Sequence, residues 1–297
     1  MSKPNVISFI LLVCAITIIS CKEKTPKKEV VETPTVNTDL KEALTFYASF
    51  DKGIDADFAL GDAHMYTVSD RKVLDSAQVG LHKPDISRQE GKGKYGHALQ
   101  FTERSEGYIY YPSEKNIAYG TTNWNGAISF WLSLDPATDL EPGYCDPIQI
   151  TDVSYNDASI WVDFTQENPR DFRLGVIGDR DIWNPEGLED ENDLILPQLA
   201  PVSEPPFAKG EWTHILINFS GLNTENGEAS LYMNGELKGV RSNITDPLTW
   251  QLDQSNIYLG LSYIGLMDDL SIYNRSLGEE EIKALAALEN GVQSILE

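Results

Sequence analysis

Cysteine is scarce in this chain: Cys14, Cys21 and Cys145 are the three in 297 residues. Cys14 lies inside an apolar N-terminal run and Cys21 directly follows it, so Cys145 alone belongs to the body and no internal disulfide can form. A lone cysteine of this kind is read as a buried small apolar residue. The four histidines, His64, His82, His97 and His214, are scattered, with no CxxC pair and no zinc-type spacing. That points away from a zinc or redox enzyme. Positive charge is also short, with Lys+Arg 23 against Asp+Glu 46 and a net charge of −23. Such a surface disfavours nucleic acid and anionic membrane as partners. There is no internal repeat, no Gly-x-Ser-x-Gly elbow and no phosphate loop. No strand carries closely spaced carboxylates of the E-x-D-x-x-E kind that could flank a scissile glycosidic bond.

What is present begins with one long apolar run, Val6 to Ser20, preceded by Lys3 and ended by Cys21. It is short for a membrane span and fits a signal-peptide core. Ile18-Ile19-Ser20-Cys21 resembles a bacterial lipobox, which would leave Cys21 lipidated at the mature N-terminus; an ordinary secretory signal is the alternative. The expected division is a signal over 1–20, a flexible charged tether over 21–43 and a folded domain over 44–297. The protein is then expected to be lipid-anchored to a bacterial outer membrane or cell surface, touching the membrane only through the lipid.

The domain reads as all-β. Leu44–Asp51, Gly96–Phe101, Glu106–Tyr111, Ala127–Leu134, Ile148–Val153, Ser159–Gln166 and Phe172–Ile177 are strand-like, and Gly53–Lys94 reads as loops with short edge strands. Glu211–Phe219, Ala229–Leu237 and Gly265–Arg275 follow, with Asn234-Gly235 as a two-residue hairpin turn. Gly178 to Lys209 is acidic and proline-rich, a long surface loop. Ser276-Leu277-Gly278-Glu279 fits a capping box, with Ile282, Leu285 and Leu288 on one face of a short C-terminal helix.

The phrases Trp212-Thr213-His214, Leu231-Tyr232-Met233-Asn234-Gly235, Asp268-Asp269-Leu270-Ser271-Ile272-Tyr273-Asn274-Arg275 and Gly96-His97-Ala98-Leu99-Gln100-Phe101 resemble the laminin-G-like, concanavalin A-like lectin/glucanase domain. The resemblance implies a jelly-roll β-sandwich of two antiparallel sheets, and Gly178–Lys209 looks like an insertion in it. This fold hosts lectins, adhesins, glycosidases and lyases, so it does not select an activity. It also implies a structural Ca²⁺ between the first and last strands, held by Asp51 and Asp268, with the Gly96-His97 segment supplying a carbonyl. Hard oxygens suit that ion. Capping of loops by the same carboxylates is the alternative.

Alternation in Ser159–Gln166 turns Ile160, Val162 and Phe164 inward and Trp161, Asp163 and Thr165 outward; Arg173 faces outward beside them. A tryptophan flanked by a carboxylate and a guanidinium suits a sugar platform, and Arg173 could meet a sulfate or uronate. An Asp163–Arg173 cross-strand pair, with Trp161 covered by the acidic loop, is the other reading. Tyr144, Tyr155, Asn156 and Trp183 are loop-borne groups that could extend a glycan subsite or meet a protein. Trp212 and His214 are read as packing residues. The expectation is a carbohydrate-binding, non-catalytic lipoprotein whose partner is a polysaccharide or other glycan. The alternatives are a polysaccharide hydrolase or lyase, with Asp163, Arg173 and His214 as first suspects, or an adhesin contacting a cell-surface protein.

Overall fold

The period-2 alternation along the chain produces two antiparallel sheets. The computed structural model describes residue 1 and residues 33–105 and 107–297; the expected signal peptide, Cys21 and the expected tether up to residue 32 lie outside the described residues. Among the described residues, the larger sheet has nine strands. Its main path is β14 (Glu236–Ile244), β13 (Gly227–Met233), β12 (Thr213–Leu222), β8 (Trp124–Ser133), β16 (Gly265–Tyr273), β1 (Leu44–Ala48) and β2 (Phe58–Ala59). Beside it, β5 (Ile86–Gln89) pairs with β6 (Ala98–Phe101), and β6 pairs with β16. The smaller sheet has seven strands: β11 (Phe172–Ile177), β10 (Ser159–Phe164), β9 (Cys145–Thr151), β15 (Asn256–Leu261), β7 (Tyr108–Pro112), β3 (Tyr66–Val68) and β4 (Gln78–Val79). The jelly-roll sandwich expected from the sequence is the observed architecture.

The core lies between the two sheets. Ile160, Val162 and Phe164 of β10, Phe172, Leu174 and Val176 of β11, and Ile148 and Ile150 of β9 all point into it, against Ile215, Ile217, Ile128 and Phe130 of the facing sheet. Burying one such aliphatic or aromatic side chain stabilises the fold by about 1.5–3 kcal/mol. Asn234 and Gly235 turn β13 into β14 with φ of 52° and 78°, the doubly positive geometry of a type I′ hairpin.

Two terminal segments differ from expectation. Residues 33–43, read as tether, form α1 (Thr33–Ala43), in which Val36, Leu40 and Ala43 are spaced to share one helix face and pack against the outer face of the nine-stranded sheet. The C-terminal helix α3 (Glu279–Ala286) is capped two residues later than expected: Gly278 takes the cap position, and its N–H donates to Glu281 Oε2 at 2.8 Å. The short α4 (Gln293–Leu296) follows, and Ile282, Leu285, Val292 and Ile295 are buried with Leu40.

The long acidic segment is no solvated loop. It holds α2 (Arg180–Trp183) and a 3₁₀ turn at Leu196–Leu199, and Val202 bridges to Phe172 of β11. Its apolar underside, Trp183, Ile195 and Leu199, packs on Trp161 and Ile177, covering one end of the outer face of the seven-stranded sheet.

Candidate functional site

On that outer face β10 and β11 set Asp163 directly opposite Arg173. Arg173 grips the carboxylate with two groups, Nε to Oδ1 at 2.9 Å and Nη2 to Oδ2 at 2.5 Å, and Nη2 also reaches Asp190 of the acidic segment at 3.2 Å. Its guanidinium carbon sits 4.8 Å from the Tyr144 ring centroid and 5.6 Å from that of Trp161. Burial works against the guanidinium charge, but the hydrogen bonds and charge of Asp163 outweigh it and hold Arg173 above its ordinary value. Burial pushes the Asp163 carboxyl upward while Arg173 pulls it back, and the net direction is up.

Arg173 is therefore sequestered, 1% exposed and shared between two acids. It is not free to meet a sulfate or uronate. Trp161 is 2% exposed, so the solvent-open platform gives way to the covered arrangement. Its indole N–H donates to Tyr155 O at 2.7 Å, and a Cβ on Gly175, the residue opposite it in β11, would clash with the indole, at 2.6 Å from Cδ2 and closer still to Cε2 and Cζ2. The glycine is what lets the indole lie flat on the sheet.

A cavity of about 190 Å³ opens beside this group, lined by Arg71, Tyr144, Asp146, Gln149, Tyr155, Trp161, Asp163, Asp190 and Leu261. Four of the six residues expected to bind ligand, Trp161, Asp163, Tyr144 and Tyr155, share its wall, and Arg173 backs them. Trp183 does not reach it; its indole N–H donates to Asn156 O at 3.1 Å and its ring packs in the cluster around Trp161. Four other depressions are larger, about 280, 290, 440 and 500 Å³, but none has more than one aromatic residue in its wall, and in the 440 Å³ one Arg275 is already paired with Glu281 at 2.6 Å.

Sequence reasoning missed Asp146, Gln149, Arg71 and Asp190. Asp146 carried a readable signal: Asp146-Pro147 falls inside a strand, and proline inside a strand marks a bulge or an edge. The register of β9 and β10 does slip there, with Val162 opposite Ile148 but Phe164 opposite Cys145, so Asp146 and Pro147 together oppose Asp163. Gln149 Nε2 donates to Asp146 Oδ2 at 3.3 Å, and Arg71 Nη1 donates to Gln149 Oε1 at 2.7 Å. Burial, then the charge of Asp163, pushes Asp146 well above the ordinary carboxylate range. Arg71 comes from the loop after β3 and forms the wall opposite Asp190, so the cavity lies between two segments that each cover part of the sheet.

The expected metal ligands lie elsewhere, between the first and last strands. Asp51 Oδ1 accepts from the His97 backbone N–H at 2.7 Å, and His97 Nδ1 lies 3.2 Å from the same oxygen. Asp268 is fully buried; its Oδ2 accepts from Tyr95 N–H at 2.9 Å, and burial with its acidic neighbours pushes its pKa up to about 8. A Cβ on Gly93 would meet Asp268 Oδ2 at 2.7 Å and the His97 carbonyl oxygen closer still. Asp269 turns away, accepting from Tyr47 Oη at 2.7 Å and from Val292 N–H at 3.2 Å, which ties β1 and the C-terminal segment together.

His214 stands on β12 of the other sheet, 1% exposed, with Nε2 2.8 Å from Ser129 Oγ; burial lowers its pKa to about 3. It does not converge with Asp163 and Arg173. Cys145 is buried in the core.

The chain belongs to the concanavalin A-like lectin/glucanases superfamily, whose profile matches residues 104–283. Among solved structures it is similar to the ligand-binding domain of botulinum neurotoxin serotype D in complex with N-acetylneuraminic acid: TM-score 0.52, 13% identity, 84% of this chain and 52% of that one. It is also similar to the Trypanosoma rangeli sialidase in complex with 2,3-difluoro-KDN, with TM-score 0.52, 11% identity, 84% of this chain and 33% of that one. Domain 4 of the Geobacillus stearothermophilus arabinanase AbnA, in complex with arabinotriose, aligns with TM-score 0.49 and 17% identity over 82% of this chain and 98% of its own. The chain thus spans about half of the toxin domain and a third of the sialidase. No curated protein matches it.

Proposed function

We propose that the protein binds carbohydrate without cleaving it, taking one sugar residue into the cavity on the outer face of the seven-stranded sheet. The observation that carries this reading is the convergence of Trp161, Tyr144 and Tyr155 with Asp146, Gln149 and Asp163 in one small cavity. Apolar ring faces suit the C–H face of a pyranose, and fixed polar groups suit its hydroxyls. Membership of a lectin/glucanase superfamily supports the same reading, as does the N-acetylneuraminic acid in the complex of the toxin domain. At about 190 Å³ the cavity is smaller than the roughly 300–1,000 Å³ of most small-molecule sites, which favours a single, chain-terminal residue. Hydrolysis needs two carboxylates free to act on either side of a bond. Here both oxygens of Asp163 are held by Arg173.

The site near the strand ends is proposed to take a structural Ca²⁺. Asp268 and the His97 carbonyl offer hard oxygens around the cradle left by Gly93, Asp51 lies beside them against Gly96 and the His97 N–H, and the buried Asp268 forms no ion pair among the described residues. Cys21 is proposed to carry a lipid that anchors the domain to the cell surface. The lipobox-like Ile18-Ile19-Ser20-Cys21 supports this, and metabolic labelling with a fatty acid, compared with Cys21→Ala, tests it.

Glycan-array and polysaccharide-gel binding by the full chain, with calcium and with chelator and with products assayed in parallel, tests the main reading. Binding without products, weakened by Tyr155→Ala in the cavity wall, is expected. Released products, or binding untouched by Tyr155→Ala and Trp161→Phe alike, would overturn it.

A further inference from the structure

Each arginine at the cavity is already committed. Arg173 is held by Asp163 and Asp190, and Arg71 donates to Gln149 while lying 5.2 Å and 5.8 Å from the Tyr108 and Tyr258 ring centroids. Asp146 is the acid left over. Its one hydrogen bond is the 3.3 Å contact from Gln149 Nε2, and it forms no ion pair among the described residues. It remains partly exposed to the cavity. Two acids, Asp163 and Asp190, and two arginines, Arg71 and Arg173, act on it.

We propose that the cavity selects an amino sugar, with the ligand's protonated amino group paired to Asp146; this rests on the carbohydrate reading above and names its ligand class. A sugar carboxylate in the same place would face Asp146, Asp163 and Asp190. A neutral sugar satisfies the rings but leaves Asp146 uncompensated. An ammonium does both, in the arrangement where a charge-assisted hydrogen bond is strongest. The pair formed is carboxylate and ammonium, and no covalent bond is made or broken.

Isothermal titration of the full chain at pH 7 tests this with glucosamine and galactosamine, their N-acetylated forms and N-acetylneuraminic acid. The free amines should bind about tenfold or more tighter than the acetylated sugars. Asp146→Asn should abolish the preference, and a far-UV circular dichroism spectrum and thermal melt like those of the unaltered protein show that the variant is folded. Acetylated or acidic sugars binding as tightly as the amines would overturn the amine selection and leave the carbohydrate reading standing. A preference that survives Asp146→Asn would overturn the assignment. No binding by any sugar would bring down both.

Discussion

Asp163→Asn should be among the most damaging single changes to this fold that touch no core residue. The substitution keeps the size of the side chain and removes its charge, leaving Arg173 1% exposed with Asp190, 3.2 Å away, as its remaining acid. Breaking a buried pair typically costs about 3–5 kcal/mol, and the surviving Asp190 contact places this case near the lower end, about 3 kcal/mol. For a domain of this size that is a fall in Tm of roughly 6–12 °C. The partner substitution Arg173→Met should behave differently. A guanidinium cannot shed its charge inside a protein, whereas a carboxyl can take a proton. Burial already pushes Asp163 upward against the pull of Arg173, and without that pull it moves further. Its folded-state pKa then lies well above the unfolded value of about 3.9. The penalty is full above the folded pKa, shrinks by about 1.4 kcal/mol per pH unit as pH falls through the window, and disappears below about pH 4. Asp163→Asn leaves no group able to escape in this way, so its cost should not shrink on acidification. Urea unfolding followed by tryptophan fluorescence at pH 5 and pH 8 separates the two. A loss below about 1 kcal/mol for Asp163→Asn, or an Arg173→Met penalty identical at both pH values, would refute the reasoning.

Gly175→Ala should displace the Trp161 indole, since the new methyl would clash with the ring; a loss of about 1–3 kcal/mol and a weakened glycan signal are expected from thermal melts and the binding screen. Calcium should raise Tm by an amount that grows with concentration, and Asp268→Asn should abolish the rise; chelator-treated protein with an unchanged melt in added calcium would sink the metal proposal. His214, lowered by burial to about 3, binds its proton more readily in the unfolded chain. Its contribution to stability is therefore present above about pH 6.5 and falls by about 1.4 kcal/mol per unit on acidification below that. His214→Gln should flatten this part of the stability–pH curve, and an unchanged slope would show that another group sets it.

The sandwich was legible because its signals are local. Alternation assigned the inward sets of β10 and β11, and Asn234-Gly235 announced its own turn. The same alternation put Trp161, Asp163 and Arg173 on one outer face, but it is blind to what lies over that face. Whether the face is open depends on Ile195 and Leu199, two apolar residues in a stretch dominated by Asp, Glu and Pro, and on Asp190 reaching back to Arg173. Composition averaged over Gly178–Lys209 reports solvation, while three apolar side chains with one shared target are enough to dock it. Asp146 was hidden differently: strict alternation would have carried it past Asp163, and the bulge at Pro147 brings it alongside. The cavity thus exists because two local irregularities, a proline in a strand and an apolar underside on an acidic segment, fall at the same end of one sheet. Removing the docking residues tests that dependence directly. Ile195→Ser with Leu199→Ser should expose Trp161, red-shifting its emission, and should weaken sugar binding even though neither residue lines the cavity. Binding that survives with Trp161 exposed would show that the sheet face alone makes the site and the acidic segment adds nothing to it.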